Sequence, residues 1–484
     1  MGVVSSIVIG GGESPLHVFR MYYIEDMVKD LTGVRSLQRK HIPDKAGSGL
    51  DVQTSLRGIA KTASLNKQHR FRDLYRLLNV EMMHMAWKEL KKDSAIADED
   101  ITVKEYGANL DTNLERLVER LKEKRYRAKL IKRRYIPKGN GKQRPLGIPA
   151  LEDKIVQKGT AMILSAIYEQ DFLDCSYGYR QGRGAKDAVS DLAFQLQFGV
   201  YGYIVEADVK GYFDNISHDK LLEMLKKRIN DRAFTGLITK WLEAGILEPG
   251  GYVKHPVTGT PQGGIVSPIL SNIYLHIVLD EWFQEEVKPR LKGRAILCRY
   301  ADDWVCAFQY KEDAERFYNV LPKRLGGYEL EVEASKTKII RFSRFHPSRK
   351  RGRTFAFLGF EFYWFKDRGG MPRVMRRTMP EKQSQALQRM KAWLKASRHL
   401  PKKQFFQGLK LKLMGHYNYY YVRGNSRCVW SFYSQVIKYA YKWLNRRSQR
   451  KSYNWDKFKR VLEYVKIPRP RPTEKKRLHQ CALG

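Results

Sequence analysis

Between Phe71 and Ala97 the apolar residues Leu74, Leu77, Leu78, Met82, Met85 and Trp87 recur at helical spacing, and Leu114, Leu117, Val118 and Leu121 do so within 113–126. Both stretches predict amphipathic helices with one face turned to a core. At Ala128 the pattern changes. Residues 128–149 (AKLIKRRYIPKGNGKQRPLGIP) read as two β runs around a Gly/Asn turn, and a helix follows from Glu152 to Tyr168. Strand-like runs return at 201–209 (YGYIVEADV), on both sides of Asp302 and Asp303, and at 353–365 (RTFAFLGFEFYWF). Helical patterns lie between them at 218–229, 233–244, 266–287 and 311–324, so an antiparallel sheet with helices on one side is expected. After RGGMPRV the chain reads as helical to its end, with Val436, Tyr439, Ala440, Trp443 and Leu444 on one face of a separate domain of about 100 residues. Residues 1–55, broken by IGGGESP and IPDKAGSG, read as a loosely ordered extension.

Composition narrows the partner. The 484 residues include 90 Lys and Arg against 51 Asp and Glu, a formal charge of +39. With 43% hydrophobic residues, a chain of this length can bury roughly two to four domain cores. The charge exceeds what solubility needs and points to a polyanion, nucleic acid ahead of an anionic membrane. No apolar run approaches the roughly 20 residues that span a bilayer. The five cysteines, at 175, 298, 306, 428 and 481, form no C-x-x-C pair, which argues against a disulfide framework or a zinc site and fits a reducing cytoplasm.

Against that background, LCRYADDWVCAF (297–308) sets two carboxylates side by side between apolar runs. Read as strand, tight turn, strand, it puts Asp302 and Asp303 at a hairpin tip and leaves Ile296, Cys298, Val305 and Ala307 for burial. Asp residues also serve turns for geometry alone. A third carboxylate shifts the balance: Asp208 ends the apolar strand of YIVEADVKGYFDNI (203–216) and can approach the hairpin within one sheet, with Glu206 on the same alternating face. An oxygen-only donor set selects hard cations, and Mg²⁺ held by carboxylates and substrate phosphates is the common arrangement for phosphoryl transfer. Two such ions, ~3.5–4 Å apart, activate an attacking 3′-hydroxyl and stabilise a pyrophosphate leaving group.

Five blocks carry a resemblance: RPLGIPALEDKIVQ (144–157), ADVKGYFDNI (207–216), GTPQGGIVSPILSNIYL (259–275), YADD (300–303) and FLGFEF (357–362). In this order and spacing they resemble reverse transcriptases, most of all those encoded by bacterial group II introns, over residues 56–475. The resemblance implies an α+β right-hand polymerase with fingers and an antiparallel-sheet palm, followed by an α-helical thumb/maturase domain. Its implied segments are 1–55 as a poorly defined extension, 56–130 as a helical N-terminal part, 131–368 as fingers and palm, 369–475 as thumb/maturase, and 476–484 as a tail. It implies that Asp208 and Asp302 are the principal ligands of two Mg²⁺ ions, with Mn²⁺ as a substitute, and that Asp303 assists. Phe213 takes the place of the ring that blocks a sugar 2′-hydroxyl, which favours dNTPs. Lys138 and Arg144 would bracket the triphosphate, with a basic surface hairpin as the alternative. Gln262, in a Pro-Gln-Gly-Gly turn, would contact the nucleotide and template, and Lys336 of SKTK would lie near the nucleotide; a plain loop and a solvated Lys are the alternatives. FLGF would form a primer-holding turn, although an apolar strand with a Gly kink also explains it. Glu206 reads as structural.

RFSRFHPSRKRGR, RVMRRT, NRRSQRKSYNW and IPRPRPTEKKR interleave cations with aromatics and proline, a pattern suited to RNA. GHYNYYYVRGNSR (415–427) resembles the maturase region of the family. The implied partners are group II intron RNA, an RNA template with a DNA primer, target DNA and dNTPs, and the implied function is cDNA synthesis with assistance to splicing and retrohoming. The implied location is the bacterial cytoplasm, in a ribonucleoprotein and at the nucleoid. RPRPTEKKRLHQCALG carries no His/Asn and paired-Cys endonuclease pattern, as in lineages lacking that domain. The rivals are a non-catalytic RNA-binding splicing factor, an RNA-dependent RNA polymerase, against which Phe213 speaks, and a reverse transcriptase domesticated for host defence.

Overall fold

A computed structural model of the chain describes residues 52–90, 102–137, 143–260, 263–345, 353–447 and 452–471. Helix α1 (Val52–Leu65) is followed by a 3₁₀ turn at Tyr75–Leu77 and by α2 (Val80–Glu89), which starts where the Asn79 side chain accepts the Met82 N–H. Between Phe71 and Leu90 the apolar spacing thus belongs to two short elements, because Asn79 offers a cap in mid-pattern, and 91–97 lie outside the described residues. Helix α3 (Val103–Ala108) opens on a Thr102/Glu105 capping box and leads to α4 (Leu110–Lys122), whose Leu114, Leu117, Val118 and Leu121 are buried as their spacing requires. Strands β1 (Ile131–Pro137) and β2 (Gln143–Ile148) form an antiparallel hairpin pairing Ile136 with Arg144. Helix α5 (Leu151–Tyr168) carries α1 and α2 on its sides and is buried almost all round.

Helix α6 (Ala185–Phe198) leads into β3 (Tyr203–Ala207), and α7 (His218–Lys226) and α8 (Arg232–Leu242) lead to the short strands β4 (Ile246–Leu247) and β5 (Val253–Lys254). The sheet order there is β2-β1-β4-β5, with β1 and β4 parallel. The pattern at 266–287 divides into α9 (Ser267–Leu275) and a wider π-helical stretch, His276–Val287. Next come β6 (Ala295–Tyr300), β7 (Asp303–Phe308), α10 (Lys311–Gly326) and β8 (Lys338–Arg341), which build an antiparallel sheet in the order β6-β7-β3-β8.

This sheet is buried on both faces, not one. Val205, Leu297, Trp304, Cys306 and Phe308 face a core shared with the helices. Ile204, Ile296, Cys298, Val305 and Ala307 face a second core, closed by α6 and by the sheet of β9 (Phe355–Phe357), β10 (Phe360–Lys366) and β11 (Pro372–Thr378). Strand β11 corrects the expectation of continuous helix after RGGMPRV: it pairs with β10 in full register from Phe360↔Thr378 to Lys366↔Pro372. Helices α11 (Pro380–Ser397), α12 (Lys402–Tyr420), α13 (Ser426–Leu444) and α14 (Trp455–Tyr464) then form a separate core around Leu394, Phe405, Leu409, Val436 and Ala440. Asn425 ties it to β11: its Oδ1 accepts the Thr378 N–H at 2.8 Å, and its Nδ2 donates to Thr378 Oγ1 at 2.8 Å. The chain therefore combines mixed α/β structure and antiparallel sheets with a helical C-terminal region.

Candidate active site and nucleic-acid surface

Strand β7 pairs with both β6 and β3, which sets the three aspartates. Tyr300 pairs with Asp303 across the hairpin, so Ala301 and Asp302 form the turn. On the other side Ala207 pairs with Trp304, so Asp208, the next residue along, emerges beside Asp303 and the turn. Ile296, Cys298, Val305 and Ala307 are all at most 9% exposed, as their alternation requires. Asp303 stays open to solvent. The protein walls first, and the charges of Asp302, Asp208 and Glu206 next, push its carboxyl up to about 7, opposed by the Leu358 N–H at 3.4 Å. The negative charges in this basic protein thus converge on one spot.

Lys336 reaches that spot. After β3, Val209 bridges Val332, and the Glu333 N–H donates to the Asp208 carbonyl at 2.8 Å, so the 331–337 turn runs beside the aspartate. The Lys336 ammonium donates to Asp208 Oδ2, and this bond raises its pKa. Glu206 is engaged elsewhere, with Lys338 Nζ at 2.7 Å and the Ala356 N–H.

The other expected residues are placed as follows. Arg144 lies exposed on β2. Phe213, 6% exposed, packs edge-on against Tyr212 at 5.4 Å, and its carbonyl accepts the Thr260 N–H at 2.8 Å. The segment leading into Pro-Gln-Gly-Gly therefore lies against the turn that follows Asp208. Gly263 (φ +123°) abuts Gly147 of β2 so closely that a Cβ would collide with that carbonyl. Lys138 and Gln262 fall outside the described residues.

Two residues escaped the sequence reading. Tyr179 (φ +57°), in the loop before α6, has its hydroxyl pKa pushed up by burial first and then by the charge of Asp302, with Arg144 opposing. Tyr419 of α12 donates from its hydroxyl to the Leu358 carbonyl at 3.0 Å, while the Leu358 N–H faces Asp303. The tyrosine-rich block was visible in sequence; its contact across the fold was not.

The aspartates offer hard oxygen donors, the donor type that divalent cations such as Mg²⁺ take. Among the described residues, no three His, Cys, Asp or Glu side chains are arranged to hold a metal ion, and Lys336 supplies the countercharge at Asp208. Beyond the Leu358–Gly359 turn lies an open cavity of about 540 Å³, lined by Lys382, Arg389, Lys412, His416 and Tyr419 among others. His416 stacks on Phe432 with ring centroids 3.6 Å apart, and burial holds its pKa down at about 4. No helix of the described residues is long and apolar enough to cross a membrane.

A family model described as reverse transcriptase (RNA-dependent DNA polymerase) matches residues 136–362. Group II intron-encoded protein LtrA of Lactococcus lactis subsp. cremoris is 37% identical over 223 residues, 46% of this chain and 37% of LtrA. Protein YkfC of Escherichia coli (strain K12) is 33% identical over 310 residues, 57% of this chain and 78% of YkfC. A 91 kDa protein in the cob intron of Schizosaccharomyces pombe is 38% identical over 231 residues, 47% of this chain and 28% of that protein. The chain thus matches well under half the length of LtrA and of the cob-intron protein. With its sheet, turn and aspartates in the expected order, the chain belongs to the reverse transcriptase family, among the group II intron-encoded reverse transcriptases and maturases.

Proposed function

We propose that the chain is an RNA-directed DNA polymerase that copies RNA into cDNA and binds group II intron RNA, assisting its splicing and retrohoming. The observation that carries this reading is the convergence of Asp208, Asp302 and Asp303 at one end of the β6-β7-β3-β8 sheet. In this reading residues 131–368 are fingers and palm, the helices within 56–130 support them, and 369–475 are the thumb and maturase region. Asp208 and Asp302 are the principal ligands and Asp303 the auxiliary one. Two Mg²⁺ ions, when bound there, would supply activation of the primer 3′-hydroxyl and charge stabilisation at the leaving pyrophosphate.

The protein's own groups do the rest. Arg144, exposed on the hairpin, donates to the triphosphate as a planar fork, with Lys138 as a point charge beside it. Phe213, held rigid by its burial, closes the space a 2′-hydroxyl would need, and Gln262 meets the nucleotide and template. Lys336 leaves Asp208 to meet the nucleotide once a cation takes over the countercharge. The basic helical region grips the template with its primer and the intron RNA through phosphate charge and aromatic stacking, and target DNA enters the same surface.

The test is extension of a DNA primer on an RNA template with Mg²⁺, comparing dNTPs with rNTPs. Extension with dNTPs alone supports the reading. No extension under any condition, with RNA bound normally, moves the function to a non-catalytic splicing factor.

A further inference from the structure

Arg299 sits on β6, three residues before Asp302, and is fully buried. A guanidinium enclosed in protein must place all five N–H donors, and this one does. Nε donates to Asp280 Oδ1 at 2.8 Å and Nη2 to Asp280 Oδ2 at 2.5 Å, a two-pronged ion pair. Nη2 also donates to Ser176 Oγ at 2.8 Å, and Nη1 to Asn272 Oδ1 at 2.9 Å. The fifth bond runs from Nη1 to the carbonyl of Ala301 at 3.1 Å.

That last acceptor matters for the site. Ala301 is the turn residue immediately before Asp302 and has φ +54°, a left-handed conformation that a residue with a Cβ adopts at a cost. Something must hold it there. The partners of Arg299 converge on the same point: Asn272 Nδ2 donates to the Gly178 carbonyl at 2.6 Å, and Gly178 presses so closely on the Ala301 nitrogen that a Cβ would collide. Asp280 belongs to the π-helical stretch, whose wider turns are a recurrent device at functional sites.

We propose that the buried Arg299–Asp280 pair is a positioning device: it clamps the Ala301 carbonyl, keeps the turn in its left-handed form and thereby aims the Asp302 carboxylate. A pair serving stability alone could be replaced by apolar side chains of similar volume at little cost, whereas a clamp could not be replaced without loss of rate.

The proposal rests on the polymerase reading above, and its test is built so that the two fail separately. The double variant Arg299→Met with Asp280→Leu removes both members of the pair together, so neither is left as an unpaired buried charge, and His276 keeps its partner Glu281. Primer extension and backbone hydrogen exchange of the segment 299–304 are measured against wild type, with thermal unfolding as the check on fold. The expected result is a folded protein whose kcat falls by about tenfold or more with the dNTP KM little changed, as for a group acting on the transition state. Exchange should rise at 299–304 and not at 203–207. Adding Ala301→Gly, which takes φ > 0 freely, should recover part of the lost rate. Wild-type kcat and exchange in the folded double variant would overturn the proposal. Should the double variant not fold, Arg299→Lys, which keeps the charge and loses the fork, carries the same two readouts, and wild-type behaviour in it overturns the proposal equally. A wild-type chain that extends no primer sinks the polymerase reading, and the exchange arm still decides the clamp.

Discussion

Arg299 in the β6-β7-β3-β8 sheet and Lys412 in the helical region are both cations beside apolar surface, but they are used in opposite ways. Arg299 is wholly enclosed and spends every donor on the protein. Lys412 lies exposed over Trp393 at 5.1 Å, and Arg446 over Trp443 at 5.7 Å, with their charge open to a partner. The sheet gathers negative charge and fixes it with buried bonds. The helices spread positive charge over aromatic rings whose packing is already complete. Under the proposed function, chemistry that needs a fixed geometry depends on a few residues in the first region, and binding that needs many phosphates is shared among many in the second.

The comparison is sharpened most at Phe213. If Phe213 closes the space of a 2′-hydroxyl as proposed, Phe213→Val should lower discrimination against rNTPs by about 10- to 100-fold, the range expected of a steric pocket contact. Some loss of stability will accompany it, because the ring is 6% exposed. Competition between dCTP and CTP in single-nucleotide extension reads the ratio, and an unchanged ratio in a folded variant would remove Phe213 from the selectivity account.

The buried His276 and the half-buried His416 divide the regions by pH. Burial pulls the His276 imidazole down, but Asp280 and Glu281 (Nε2 to Oε1 3.2 Å) outweigh it and hold the pKa up at about 9. A raised pKa gives stability that is complete below the unfolded value of about 6.5 and is lost as pH rises through 9, here at most about 3 kcal/mol. His416 has the reverse sign: with its pKa lowered to about 4, it costs stability as pH falls from about 6.5 toward 4. Urea unfolding across pH should show His276→Gln flattening the alkaline limb and His416→Gln the acidic one. The opposite assignment would contradict the environments described.

The smallest effect is expected on the open surface. Lys412→Ala should weaken RNA binding by about two- to fivefold, uniformly across sequences, and reduce the salt slope by about one. A loss of a hundredfold would mean that the helical surface works through a single anchor and would break the comparison.

Much of this was legible in sequence because the carboxylates stand in an alternating pattern. The burial of Ile296, Cys298, Val305 and Ala307, and the meeting of Asp208 with the 302–303 hairpin, follow from period-two strands within one sheet. The second core was not legible, since Ile204 and Val205, adjacent in sequence, face different cores, and a strand buried on both sides shows no polar alternation. Strand β11 was hidden by the arginines of RVMRRT, of which Arg376 is buried with Nη1 donating to Ser190 Oγ at 3.2 Å and Nη2 to the Arg423 carbonyl at 2.9 Å. Arg299 did leave a signal, a charge at an inward position of an apolar strand, but its partners Ser176, Asn272 and Asp280 come from distant segments. The SKTK motif marks Lys336 in the sequence, but its contact with Asp208 depends on the 331–337 turn running beside the end of β3.

The central claim is that catalysis and RNA binding reside in separate parts of one chain. The direct measurement is Asp302→Ala, assayed in parallel for primer extension with dNTPs and for affinity to a structured RNA at fixed salt. The account predicts extension lost to background with the RNA Kd changed by less than about twofold, because the basic surface is untouched. Retained extension, or a large loss of RNA affinity in a variant with normal thermal unfolding, would contradict it.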